Sequence, residues 1–199
     1  MNREDWNERY GIEELVWRAE PNQFLVQELD SLEPGRALDV ACGEGRNAVW
    51  LAAKGWTVTG VDFSAAGLAK ARRMATDRGL MVEWVEADVV EWQPAAAAFD
   101  LVVVMYLHLP GADRRRALAH VTDALAPGAT LLVVGHDSSN LAEGTGGPQD
   151  PAVLYGPEEI VGDLPGLQIL QATRVTRTVA SDATESTAID ALVRAIRPY

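Results

Sequence analysis

Residues 37–48 read Ala-Leu-Asp-Val-Ala-Cys-Gly-Glu-Gly-Arg-Asn-Ala. A short apolar run passes straight into Gly43-x-Gly45-x-x-Ala48 and then into helical spacing. Strand, glycine turn and helix in that order open a doubly wound parallel sheet, here in the variant with Ala at the third position. Gly43 permits the sharp turn, Gly45 lets a ligand approach the backbone, and Ala48 lets helix and strand pack closely. The motif alone is a weak signal. Its context strengthens it, because the elements on both sides are legible.

The rest of the chain supports the same reading. Short β-branched apolar runs alternate with helical stretches of roughly ten to fifteen residues, the pattern of βαβ units. Strands are expected at 37–41, 57–62, 81–87, 99–106 and 130–135. The run Leu-Val-Val-Val-Met within 99–106 suits a central strand buried on both faces. Helices are expected at 3–18, 24–32, 45–54, 64–78, 113–125 and 158–163. Gly55 serves as a left-handed cap and Ser64 as an N-cap. Residues 144–151 read as a loop. Residues 167–179 and 187–197 alternate over long stretches joined by a polar turn at 181–186, so they are expected to pair antiparallel at the sheet's end. The expected fold is α/β, a Rossmann-like doubly wound sheet of seven strands with N-terminal helices. One domain spans 1–199, with residues 1–35 as a helical cap and 36–199 as the core.

The 199 residues carry 17 Lys and Arg against 29 Asp and Glu, a formal charge of −12. Nucleic acid and anionic membrane therefore make poor partners. No apolar run approaches the roughly 20 residues needed to span a bilayer, and the opening Met-Asn-Arg-Glu-Asp-Trp has no apolar signal core. The expected location is the cytoplasm. One cysteine, Cys42, rules out an intrachain disulfide and a thiolate cluster. His108, His120 and His136 show no metal-ligand spacing, so no metal is expected.

Acids at strand ends suggest what the glycine loop binds. Asp39 sits inside the first strand, where a carboxylate needs a cationic or hydrogen-bonding partner. A pyrophosphate is a poor neighbour for it; an ammonium or a sulfonium is a good one. Asp62 ends the second strand and suits two ribose hydroxyls. Asp88 ends the third and suits an exocyclic amine. Each also has a plain reading as a capping or strand-ending residue. A nicotinamide-dependent oxidoreductase would use the same glycines, and a non-catalytic cofactor-binding regulatory module is a further alternative.

The segments LDVACGEGRNAVWLAAKGWTVTGVDFS and EADV resemble the class I S-adenosylmethionine-dependent methyltransferases in order and spacing. The opening Asp5-Trp6-Asn7-Glu8-Arg9-Tyr10 and the segment Pro21-Asn22-Gln23-Phe24-Leu25 resemble the small bacterial methyltransferases of the tellurite-resistance and thiopurine type. The resemblance covers most of the chain. It implies S-adenosylmethionine as cofactor and in-line methyl transfer to a small-molecule acceptor, a thiol, oxyanion, hydroxyl or amine.

By position, the resemblance places Gly43 and Gly45 at the methionine part of the cofactor, with Asp39 ordering its ammonium. Asp62 takes the ribose, Phe63 packs near the adenine, and Asp88 takes the adenine amine with Val89 beside it. Ala41, Cys42, Arg46, Asn47, Ser64, Ala87 and Met105 complete the cofactor surroundings. Cys42 itself reads as a small packed residue.

His108 and His136 follow the fourth and fifth strands, at the edge where open α/β sheets bind ligands, and are the candidates for proton transfer. A loop histidine with local hydrogen bonds is the plain alternative, and His120 reads as surface. Trp6, Arg9, Tyr10, Trp17 and Tyr106 are assigned to the lid or the acceptor side. The first 20 residues are expected to cover the cofactor and to order when it binds, with Arg9 reaching toward an anionic group.

Overall fold

The computed structural model describes residues 2–180 and 185–199. The polar turn expected at 181–186 lies outside the described residues at 181–184. Seven strands form one sheet: β1 (Arg36–Val40), β2 (Thr57–Asp62), β3 (Val82–Glu86), β4 (Phe99–Met105), β5 (Leu125–His136), β6 (Gln168–Ala180) and β7 (Glu185–Ile196). Their order is β3-β2-β1-β4-β5-β7-β6. β1 to β5 pair in parallel, whereas β7 runs antiparallel to both β5 and β6. The helices are α1 (Arg3–Tyr10), α2 (Gln23–Leu29), α3 (Arg46–Ala53), α4 (Ala65–Asp77), α5 (Gly111–Ala124), α6 (Asn140–Glu143) and α7 (Pro157–Gly162). Among the described residues, no helix is long and apolar enough to cross a membrane.

Strand alternation sorts the core into two layers. Leu38, Val40, Val102, Val104, Leu131 and Val133 face one side, where Leu118 and Val121 of α5 and Ile160 of α7 cover them. Ala37, Leu101, Val103, Met105, Leu132 and Val134 face the other, under Phe24, Leu25 and Leu29 of α2 and Ala48 and Leu51 of α3. The central run of β4 is buried on both faces, as its unbroken apolar sequence requires. The reversal of strand order between β1 and β4 opens a crevice at their C-terminal ends, where α/β sheets place ligands.

Two expected boundaries differ most. The N-terminal helix ends at Tyr10 rather than running to residue 18. Beyond it the amides of Val16 and Trp17 bond to the Glu44 carboxylate instead of to carbonyls of their own segment. The fifth strand starts at Leu125 rather than at 130. Pro127 and Gly128 form an irregular insertion within it, and the register with β4 shifts between Phe99 and Leu101.

Candidate active site

Asp39 is the least satisfied group at the crevice. It is 1% exposed, and neither carboxylate oxygen has a hydrogen bond. Burial pushes its pKa up to about 7, against the opposing pull of the Ala48 amide and the Arg46 charge. Arg46 opens α3 nearby. Its guanidinium makes no ion pair or hydrogen bond among the described residues, and burial lowers its pKa. The fields of Tyr106, Asp39 and Arg177 all reach it. A buried unpaired acid thus stands near a half-buried unpaired cation.

Asp62 is also buried, but it is engaged. Its Oδ2 accepts from the Gly43 amide and its Oδ1 from the Ser64 amide, each at 2.8 Å. It ties the glycine loop to the turn that starts α4. Each oxygen retains a further lone pair. Burial raises its pKa, opposed by the backbone amides of Ser64, Gly43 and Phe63. Asp88 accepts from the Val90 amide at 3.0 Å, closing a turn after β3. Phe63, Ala87, Asp88 and Val89 are half-buried at the same end of the sheet.

The two loop glycines also make room for neighbouring elements. A Cβ on Gly45 (φ +80°) would stand 2.7 Å from both Ala71 and the Trp84 ring, so the absence of a side chain also lets the loop pack against α4 and β3. A Cβ on Gly43 (φ +54°) would meet the Tyr10 hydroxyl at 2.7 Å, so this one makes room for the N-terminal segment.

Several residues expected at the cofactor also make framework contacts. Cys42 is buried, its Sγ lies toward Gly60, and burial drives its thiol pKa well above the usual value. Ser64 is fully buried. Its hydroxyl caps α4 through the Gly67 amide at 3.1 Å and donates to Asn7 at 2.7 Å. Asn47 accepts from the Asn22 amide at 2.9 Å, fixing the start of α2. Ala41 takes a left-handed conformation (φ +57°) at the loop's entrance, and Met105 closes the buried end of β4.

The N-terminal segment is docked over the loop. Glu44 is 3% exposed and pairs with Lys70 at 3.0 Å. The same carboxylate accepts from the Val16 and Trp17 amides, and Lys70 also donates to the Glu14 carbonyl. Trp6 stacks on Tyr10, whose hydroxyl accepts from the Trp17 indole at 3.2 Å. Burial raises the Tyr10 pKa, keeping the phenol protonated. Arg9 lies over the Trp6 and Trp17 rings on the outer surface, so it does not reach toward an anion at the site. Composition gave no warning of the clamp; the one hint was an acid between the two glycines. An open cleft of about 250 Å³ lies at the opposite end of β1 and β2, lined by residues such as Leu29, Trp50 and Trp56.

A polar cluster occupies the other half of the crevice. His108 Nδ1 lies 3.1 Å from the Val153 carbonyl, and Nε2 accepts the His136 amide at 3.4 Å. Burial lowers its pKa to about 4. The proton transfer expected of His108 therefore has no free ring nitrogen to act from. Its ring stacks between His136 and Tyr155. His136 Nδ1 faces Asp190 Oδ1 at 3.2 Å. Tyr106 sits in a left-handed conformation (φ +59°), and its hydroxyl donates to Asp190 Oδ2 at 2.7 Å. Burial and the Asp190 charge raise its pKa. Arg177 Nε donates to the same oxygen at 2.8 Å. Asp190 and Arg177 were missed in sequence, although an acid inside the apolar alternation of β7 marks an inward-facing carboxylate. His120, expected at the surface, is half-buried in α5 with Nδ1 unpartnered.

The fold, the glycine loop and the acids at the ends of β1, β2 and β3 resemble those of the class I S-adenosylmethionine-dependent methyltransferases. Residues 37–128 match the family described as methyltransferase domain. Over 123 residues the chain is 37% identical to the demethylmenaquinone methyltransferase of Thermus thermophilus, a match that covers 61% of this chain and 54% of that one. It spans about half the length, or less, of the curated relatives it matches. Two solved structures share the fold. TehB from Haemophilus influenzae has a TM-score of 0.75 at 14% identity, covering 98% of this chain and 66% of that one. The N-methyltransferase NodS from Bradyrhizobium japonicum, in complex with S-adenosylhomocysteine, has a TM-score of 0.74 at 20% identity, covering 99% and 98%.

Proposed function

We propose that the chain transfers a methyl group from S-adenosylmethionine to a small-molecule acceptor. The observation that carries this reading is Asp39, a buried carboxylate with no hydrogen bond at the mouth of the glycine loop. A buried acid of this kind is costly unless a cationic partner arrives. An α-ammonium is such a partner, and Arg46 offers a complementary cation to the α-carboxylate beside it. A dinucleotide pyrophosphate would instead add negative charge next to Asp39.

The remaining assignments follow the strand ends. Asp62 uses its spare lone pairs for the ribose hydroxyls, and Asp88 accepts from the adenine amine between Phe63 and Val89. When bound, the cofactor supplies a methyl group on a sulfonium, open to in-line displacement. The chain's part is to align the acceptor, exclude water and remove any proton the acceptor carries. The docked segment 3–17 supplies the exclusion.

Two features support a small acceptor over a nucleic acid. The net charge is −12, and phosphate backbones are bound by basic faces. Relatives named for demethylmenaquinone and for ubiquinone biosynthesis carry small-molecule names, although one is named for ribosomal RNA. Calorimetric titration with S-adenosylhomocysteine and with NAD tests the proposal. Binding of the first and not the second is expected; tight NAD binding with no response to S-adenosylhomocysteine contradicts it.

A further inference from the structure

Asp190 is fully buried in β7 and has two carboxylate oxygens with different tasks. Oδ2 accepts from the Tyr106 hydroxyl and from Arg177 Nε. Oδ1 has no hydrogen bond; it faces His136 Nδ1, which is equally buried and equally without another partner. Two lone pairs meeting at 3.2 Å in a buried site would repel, so Nδ1 carries a proton, and in the neutral ring Nε2 is then the nitrogen with the lone pair. Among the described residues Nε2 makes no hydrogen bond. Gly147 lies against the face of the ring on its Cδ2 side, where an added Cβ would stand 2.6 Å from Cδ2, 2.7 Å from Cγ and 2.8 Å from Nε2.

We propose that Asp190 is a positioning residue that fixes His136 as a proton acceptor through Nε2, and that the methyl acceptor is a protic hydroxyl or amine. This rests on the methyl-transfer reading above and names its substrate class. A thiolate or an oxyanion arrives ionised and needs no base. A hydroxyl or amine must shed a proton as it is methylated. The acceptor's lone pair forms the new bond to carbon as the carbon–sulfur bond breaks, with that bond's electron pair going to sulfur. The acceptor's proton passes to Nε2. The resulting imidazolium faces Asp190, and the proton returns to solvent when product leaves.

The surroundings suit that cycle. Burial pushes the Asp190 carboxyl up, but His136, the Tyr106 hydroxyl and Arg177 together hold it below the ordinary carboxylate range. It therefore stays ionised to receive the imidazolium. Arg177 from β6, Tyr106 and His108 from the segment after β4, and Asp190 from β7 are the titratable groups around the ring. His108 is held neutral near pH 7 with a pKa of about 4, so it adds no competing charge. Tyr155 stacks on the far side of His108.

Asp190→Asn is the sharpest probe, because it keeps the volume. The two donors on Oδ2 force the amide oxygen to their side and turn the NH2 group toward His136 Nδ1. Nδ1 then becomes the acceptor and Nε2 carries the hydrogen. Side-chain 15N NMR of the full chain with S-adenosylhomocysteine reads this directly. The expected result is an Nδ1–H tautomer in the wild type and Nε2–H in Asp190→Asn, with S-adenosylhomocysteine affinity unchanged. An Nε2–H tautomer in the wild type, or the same tautomer in both proteins, overturns the proposal. Failure of S-adenosylhomocysteine to bind the wild type would instead overturn the methyl-transfer reading.

Release of S-adenosylhomocysteine with phenol, catechol, aniline and thiophenol as probes reads the acceptor class. Transfer to a hydroxyl or amine probe that falls on the order of 10²–10⁴-fold in Asp190→Asn and His136→Gln supports it. Transfer to thiophenol alone, unaffected by His136→Gln, overturns it.

Discussion

Asp39 and Asp190 are both buried acids on the same face of the sheet, one in β1 and one in β7, yet their surroundings are opposite. Asp39 has no hydrogen bond, and burial raises its pKa to about 7. Asp190 holds a tyrosine, an arginine and a histidine, and those partners keep it ionised against its burial. An acid with internal partners organises its own neighbourhood. An acid without them is a receptor, destabilising until a ligand completes it. On the proposed reading, the half of the crevice assigned to the cofactor is chemically incomplete, and the half assigned to the acceptor is prearranged.

The largest expected contrast is in stability. Asp190→Ala strands the Arg177 charge and two further donors, and is expected to cost about 3–5 kcal/mol in urea unfolding. Asp39→Asn removes a poorly housed charge and is expected to stabilise the ligand-free protein by about 1–2 kcal/mol at pH 8. Equal losses in the two variants would break the comparison.

Removing one side of the Glu44–Lys70 pair should leave the other buried and uncompensated. Glu44→Gln is expected to cost about 3 kcal/mol and to speed proteolysis within residues 11–20. An unchanged cleavage pattern would show that the clamp does not hold the segment.

The pH dependence gives a third contrast. The folded pKa of Asp39, about 7, lies above its unfolded value near 3.8. Between those values the folded state binds more protons, so this residue's contribution is fully present below about pH 4 and is lost as pH rises toward 7. Ligand-free melting temperature should therefore carry a downward component from pH 4 to 7 that Asp39→Asn abolishes. The smallest effect is expected from Tyr10→Phe, which removes the acceptor for the Trp17 indole and should cost about 0.5–1.5 kcal/mol.

The sheet was readable from the sequence because its signals are local. Apolar runs, Gly55, Ser64 and the glycine turn each act within a few residues of themselves. The strand-end acids were readable for the same reason, since strand ends fix where side chains emerge. What escaped was long-range pairing. Glu44 with Lys70, and His136 with Asp190, join residues 26 and 54 positions apart, and no periodicity encodes such partners. The N-terminal helix was read too long for a related reason, because the Glu44 carboxylate takes the amides that helix would have used. His108 and His136 looked alike at two strand ends. Only their neighbours, a carbonyl for one and a carboxylate for the other, separate a held ring from the proposed base.

The most direct test of the account is the affinity of S-adenosylhomocysteine as a function of pH, by calorimetry, in the wild type and in Asp39→Asn. The ligand's ammonium requires an ionised partner, so wild-type affinity should rise as pH climbs through about 7 and then level off. Asp39→Asn should bind on the order of 10- to 100-fold more weakly and show no such rise. Equal affinity in the two proteins, or a wild-type affinity indifferent to pH across that window, would contradict the claim that the unpaired acid of β1 is the cofactor's anchor.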